Sequence, residues 1–201
     1  MVNNYMLFVM LIVFLYCLKS KMFVIGCLND ASVVNESDFM KKLNANELDL
    51  PPPAPLPNTN LTMPYAFIAD GIFALSTHMM KPYTKSIDLN IPQKVFNYRI
   101  KRARLSIEDA FGILVEKFQI LSKNMSFGLN KCKIVTSATI CLHNFLITRK
   151  LNETDMQFNQ IPQVPNDQEI QGPRNGVEQR NCLTQYFVSR YGSVPWQLQY
   201  I

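Results

Sequence analysis

Two carboxylates and a cluster of basic side chains are the residues of this chain best suited to chemistry. Asp70 closes the apolar run Pro64-Tyr65-Ala66-Phe67-Ile68-Ala69. Glu108 follows Arg99, Lys101, Arg102 and Arg104, and 37 residues separate it from Asp70. On a helix, Lys101, Arg104 and Glu108 fall on one face at i, i+3 and i+7. A basic face that ends in a carboxylate suits the holding of phosphates with a metal ligand set beside them. A carboxylate at the C-terminal end of a core strand sits where open α/β sheets place their sites. The plain alternative is an Arg104–Glu108 surface pair on an amphipathic helix.

The elements that must position these groups follow from hydrophobic spacing. Phe96, Ile100, Ala103, Ile107, Phe111, Leu114, Phe118 and Leu121 recur at steps of three and four, which predicts one long helix over 96–121. Residues 64–70 read as a buried strand, Gly71 turns the chain, and FALSTHMM reads as a short helix stopped by Pro82. Met79 and Met80 are expected to pack, and His78 to lie at the surface or at a cap. A second amphipathic helix is expected over 131–149, with Ile134, Val135, Ala138, Cys141 or Leu142, Phe145 and Leu146 as its buried stripe. His143 beside it reads as a structural, hydrogen-bonding residue, because no acidic partner is near in sequence. Residues 38–46 suit a short helix. The stretch 49–64, with PPPAPLP, reads as an extended polyproline-like connector.

The 201 residues suffice for one domain with a core, and 48% apolar with 17% charged residues fits a globular body. The net charge of +5 is uneven: Lys81 to Arg104 holds seven Lys/Arg against one acid, whereas Lys150 to the end holds four against five. A concentrated basic block favours a polyanionic partner, its alternative being a solvated helix face. Five cysteines, an odd count with no CxxC and only two histidines, exclude a zinc-ligand spacing and point to reduced thiols. Tyr5 to Leu18 is an apolar run of 14 residues, short of the roughly 20 that span a bilayer. With the run at 22–28 it reads as a hairpin of buried strands, and a membrane anchor is the weaker alternative.

In order along the chain, NELDLPPPAPLPNTNLTMPYAFIADGIFALSTHMMKPY, VFNYRIKRARLSIEDAFGILVEKFQIL, CLHNFL and a tail from YF to GSVPWQ resemble the C-terminal part of PIF/Harbinger-type DDE transposases and their domesticated nuclease-like relatives. The resemblance implies an α/β fold of the RNase H-like kind, a mixed sheet flanked by helices, N-terminally truncated. It puts Asp70 at the family's second catalytic Asp and Glu108 at its catalytic Glu, both metal ligands. Asp30 matches a further recurrent Asp and is a candidate ligand. The implied cofactor is Mg²⁺ or Mn²⁺, since hard cations take oxygen ligands. The implied substrate is DNA, its phosphates held by Arg99, Lys101, Arg102 and Arg104, in a nuclear protein that works with a separate DNA-binding accessory protein and takes no small-molecule substrate. Departures are Gly71, where relatives often carry Glu, and the lack of a match for the first catalytic Asp. The expected organisation is a partial DDE endonuclease-like domain at 1–149, a flexible linker at 150–179 and a C-terminal tail segment at 180–201. The competing reading is a non-catalytic DNA- or protein-binding module.

Overall fold

The computed structural model describes residues 37–84, 88–153 and 172–201. The expected hairpin of 5–18 with 22–28, Asp30 and most of the expected linker lie outside the described residues. The chain divides into two compact units. Of the described residues, the first takes 48–106 and 172–201, and the second takes 37–47 and 107–153.

In the first unit, β1 (Ala54–Pro55) pairs antiparallel with β2 (Thr62–Met63). The stretch expected as a plain connector is therefore a small hairpin. Its turn is closed by the Leu56 amide on the Leu61 carbonyl at 2.9 Å and by the Thr59 hydroxyl on the Leu56 carbonyl at 2.9 Å. Proline is tolerated there because a two-stranded ladder leaves each strand with an open edge. Next, β3 (Phe67–Ile68) pairs in parallel with β4 (Met79–Met80). The helix expected over FALSTHMM is thus absent, and its end is a strand. Ser76 and Met79 exchange both backbone hydrogen bonds around Thr77-His78, a tight reversal that Ser and Thr favour over helix. Met79 and Met80 are fully buried, as expected of packing residues.

Helix α1 of the second unit spans Asp38–Asn44, capped by the Ser37 hydroxyl, which accepts from the Met40 amide at 3.2 Å. The long helix, α2, spans Ile91–Lys117 and runs from the first unit into the second. It starts earlier than its apolar stripe because Asn90 and Gln93 form a reciprocal cap. The Asn90 carboxamide oxygen accepts from the Gln93 amide at 3.0 Å, and the Gln93 side chain accepts from the Asn90 amide at 3.1 Å. Pro92, in the first turn, lacks only a donor that would have no partner. Phe118 leaves helical geometry at φ −113° and ends it.

Helix α3 spans Leu129–Glu153 and α4 spans Gly176–Val188. Asn175 caps α4, accepting from the Val177 and Glu178 amides at 3.0 and 2.9 Å. The core of the first unit joins Val95, Phe96, Ile100 and Ala103 of α2 to Leu183, Tyr186 and Phe187 of α4, with Met63, Ile68 and Met80 from the sheets. Phe96 lies 6.0 Å from Phe187 and meets Tyr83 edge-on at 5.4 Å. Among the described residues the strands make two two-stranded sheets in a mixed α/β chain. The larger mixed sheet is not assembled from them, and two of its expected strands belong to the undescribed N-terminal stretch.

Helix α3 reverses its expected faces. Cys132, Thr136, Thr139, Ile140 and His143 are buried, while Ile134, Leu142, Phe145 and Leu146 are exposed. The buried row also follows the helical period, so periodicity alone does not choose between them. His143 Nδ1 is buried with no hydrogen-bond partner among the described residues. Burial, and then the Lys117 ammonium, pushes its imidazole below the ordinary value near 6.5. The neutral ring is the folded form. Between the ordinary and the lowered value the unfolded chain therefore binds more protons, and the fold loses stability as pH falls.

Two outcomes follow. Urea unfolding at about pH 7.5 and about pH 5.5 will show an acid-side loss of stability that His143→Gln removes in part, with a slope from this group of at most ~1.4 kcal/mol per pH unit. At Gly176 an added Cβ would stand 2.6 Å from the Ser76 backbone. Gly176→Ala will therefore destabilise the chain by ~1–3 kcal/mol, read as a lower denaturation midpoint.

Candidate active site

Asp70 lies two residues past the end of β3, after Ala69. The backbone on either side is pinned: the Phe67 amide donates to the His78 carbonyl at 2.9 Å and the Ala69 amide to the Met80 carbonyl at 2.8 Å. The carboxylate leaves the buried strand for a half-exposed position. Its Oδ1 accepts from the Gly71 amide at 2.7 Å and forms an ion pair with Arg104 Nη1 at 3.2 Å. The side chains of Asp70 and Arg104 are 55% and 28% exposed, so water screens the pair. Lys81 donates from Nζ to the Gly71 carbonyl at 3.1 Å, which brings a second cation to the same turn.

Helix geometry distributes the basic cluster. At 100° per residue, Arg99 and Arg102 share one side of α2, while Lys101, Arg104 and Glu108 share another. Arg99 is drawn inward rather than presented to a phosphate. Its Nη1 donates to the Gly192 carbonyl at 3.3 Å and to Gln197 Oε1 at 3.4 Å, and its guanidinium lies 4.8 Å from the centre of the Phe187 ring. Burial lowers its pKa, partly offset by Tyr186 and Tyr98. Arg102 lies 5.6 Å from the centre of the Trp196 ring and donates to the Tyr98 hydroxyl at 3.0 Å. Lys101 is exposed. Glu108 is exposed on α2, in the part that belongs to the second unit, whereas Asp70 belongs to the first.

Hard oxygen donors of the Asp70 type suit a divalent cation, but Oδ1 already accepts from the Gly71 amide and pairs with the Arg104 guanidinium. Among the described residues no group of three or more His, Cys, Asp or Glu side chains is placed to hold a metal ion. The donor chemistry fits and the donor number does not, so no step is routed through a metal here. No described helix is long and apolar enough to cross a membrane. The three described cysteines, Cys132, Cys141 and Cys182, are free.

The sequence offered Glu108, one turn away, as a partner for Arg104, and did not show the pairing with Asp70. Its only available signal was an Arg on the α2 side opposite Arg99, since the pairing joins distant segments. The inward role of Arg99 gives a test. Arg99→Ala will cost ~1–3 kcal/mol of unfolding free energy, because charged hydrogen bonds and ring contact are lost together. Lys101→Ala will stay within ~0.5 kcal/mol of the parent. Equal effects of the two in chemical denaturation would contradict this assignment.

A family model for DDE superfamily endonucleases matches residues 16–144, more than half of the chain and a span that includes both Asp70 and Glu108. No curated protein and no solved structure matches the chain. Enzymes of this family are nucleases that act on DNA and generally use divalent metals. With its mixed α/β architecture and a carboxylate set at the end of a buried strand, this chain belongs to the DDE superfamily endonucleases.

Proposed function

We propose that this chain is a transposase-derived, Harbinger-type endonuclease domain with an RNase H-like ancestry, which binds DNA and does not cleave it alone. The observation that carries the reading is the family match across Asp70 and Glu108. In this reading Asp70 and Glu108 are metal ligands, with Asp30 as a further candidate, and the cation is Mg²⁺ or Mn²⁺. Such a cation, when bound, supplies an activated water and charge neutralisation at the leaving oxygen. The chain's own groups do the rest. Lys101, Arg102 and Arg104 attract backbone phosphates, while Arg99 keeps α2 joined to the C-terminal segment. A two-metal reaction depends on several carboxylates held in register, and only two matched positions leave the attacking water poorly placed. DNA binding needs no such register. DNA as the target puts the work of the protein in the nucleus, and target choice falls to a separate DNA-binding accessory protein.

Two measurements test this. In a plasmid-nicking assay with Mg²⁺ or Mn²⁺, the purified chain is expected to leave supercoiled DNA intact. Nicking that disappears in both Asp70→Ala and Glu108→Ala would overturn the inactivity and establish the enzyme. In a fluorescence binding titration, duplex affinity is expected to fall steeply with salt. Lys101→Ala will lower the slope of log affinity against log salt by roughly 0.9 per lost phosphate contact. A slope that does not change would remove Lys101 from the interface.

A further inference from the structure

We propose that Tyr98, Arg102, Trp196 and Tyr200 form a platform on which an unpaired DNA base stacks, with the phosphates of the same strand held by Lys101 and Arg102. The inference rests on the reading of this chain as a DNA-binding domain, and it names the form of DNA that the surface fits. Lys94, Tyr98, Lys101 and Arg102 fall at i, i+4, i+7 and i+8, within one face of α2. The C-terminal segment lays two aromatic residues against that face. The Tyr98 and Tyr200 rings stack with centroids 5.5 Å apart and planes inclined by 1°. Arg102 ties the stack to the rest of the segment. Its Nη1 donates to the Tyr98 hydroxyl at 3.0 Å, and its guanidinium lies 5.6 Å from the centre of the Trp196 ring. Tyr200 is the outer ring, 64% exposed, with Tyr98 against one of its faces.

Two features select the occupant. The first is the open end of the stack. Tyr200 is already held parallel to its neighbour, so a further flat π system adds to it without rearrangement. The bases of a duplex are stacked on each other, whereas an unpaired base has a free face to offer. The second feature is charge. Residues 89–107 hold five Lys/Arg and residues 179–201 hold two, and neither stretch holds an Asp or Glu. The two segments that build the platform therefore carry no acidic side chain to repel a phosphate. Arg102 has five N–H donors and gives one to Tyr98, which leaves others for a phosphate oxygen. A ring for the base beside cations for the backbone is the combination that single strands require. A purely apolar partner would bury those cations unpaired.

The test uses the full chain and three fluorescein-labelled DNAs of equal length, followed by anisotropy: a single-stranded oligothymidylate, an abasic strand of the same charge, and a duplex. Trp196, the only tryptophan, reports the place of binding through its emission. The variants are Tyr200→Ala and Tyr200→Leu, the second keeping apolar bulk without a π face. The parent is expected to bind oligothymidylate more tightly than the abasic strand, with a change in Trp196 emission. Both variants should weaken oligothymidylate binding about five- to tenfold and leave abasic and duplex binding unchanged. Equal affinity of the parent for oligothymidylate and the abasic strand, or parental affinity in both variants, would overturn the platform while leaving DNA binding in place. A loss of duplex affinity as large as that of oligothymidylate would overturn the choice of an unpaired base. Failure of the parent to bind any of the three DNAs would overturn this inference and the DNA-binding reading together. Self-association in sedimentation that Tyr200→Ala abolishes, with oligothymidylate binding unchanged, would assign the face to a second copy of the chain and refute the proposal.

Discussion

The first unit depends on one contact, the burial of the Val95–Phe96–Ile100–Ala103 face of α2 under Leu183, Tyr186 and Phe187 of α4. Phe96 is among the most buried side chains of the described residues and Phe187 is buried beside it, and the two sheets add Met63, Ile68 and Met80 to the same cluster. The C-terminal segment is therefore part of the core. Polar groups fix its register. Gln197 Nε2 donates to the Phe187 carbonyl at 2.9 Å, and Gln179 Nε2 donates to the Pro64 carbonyl at 3.0 Å. Tyr186 donates to the Pro57 carbonyl at 3.2 Å, tying the hairpin to α4. Each is a side chain satisfying a backbone carbonyl from a distant segment, which selects one packing among the many that apolar burial alone would allow.

Arg99 shows how charge is accommodated in that contact. Its guanidinium lies against the Phe187 ring and donates to two oxygens of the C-terminal segment, so the desolvation that lowers its pKa is offset by partners in place. Asn97 does comparable work on the next position. Its carboxamide both accepts from the Tyr83 amide at 2.7 Å and donates to the Tyr83 carbonyl at 3.0 Å. The Tyr83 hydroxyl in turn meets Asn181 and Thr184 of α4 at 3.0 Å each. The polar residues of the α2 N-terminal half are thus divided between holding the fold and facing outward.

What was legible in the sequence was whatever repeats locally. The long helix, its buried Phe96, Ile100, Ala103 and Leu114, and the strand that delivers Asp70 all follow from spacing. Two short elements were not legible. The hairpin of 54–63 hides in a proline-rich stretch, and β4 is two residues long, too short for any period to register. On α3 the apolar row was visible, yet Thr136, Thr139 and His143 are the buried side, because burial is decided by neighbours in space. The Asp70–Arg104 pair was invisible for the same reason: it joins residues 34 positions apart in sequence. The family resemblance supplied Asp70 and Glu108 as a set, which spacing alone did not.

The parallel pairing of β3 with β4 has a consequence for the Asp70 turn. Parallel neighbours are ordinarily joined by a dozen or more residues, and here residues 69–78 make the connection with no helix in it. Both ends of the excursion are anchored in buried backbone, so the entropy of closing it is already spent when the strands form. Displacing the turn at Asp70–Gly71 into the ladder would break the bonds that Phe67 and Ala69 make. The carboxylate therefore behaves as a group on a short tether. Its sampling volume is small, so a partner on the same chain, such as the Arg104 guanidinium, meets it at an effective concentration set by the backbone.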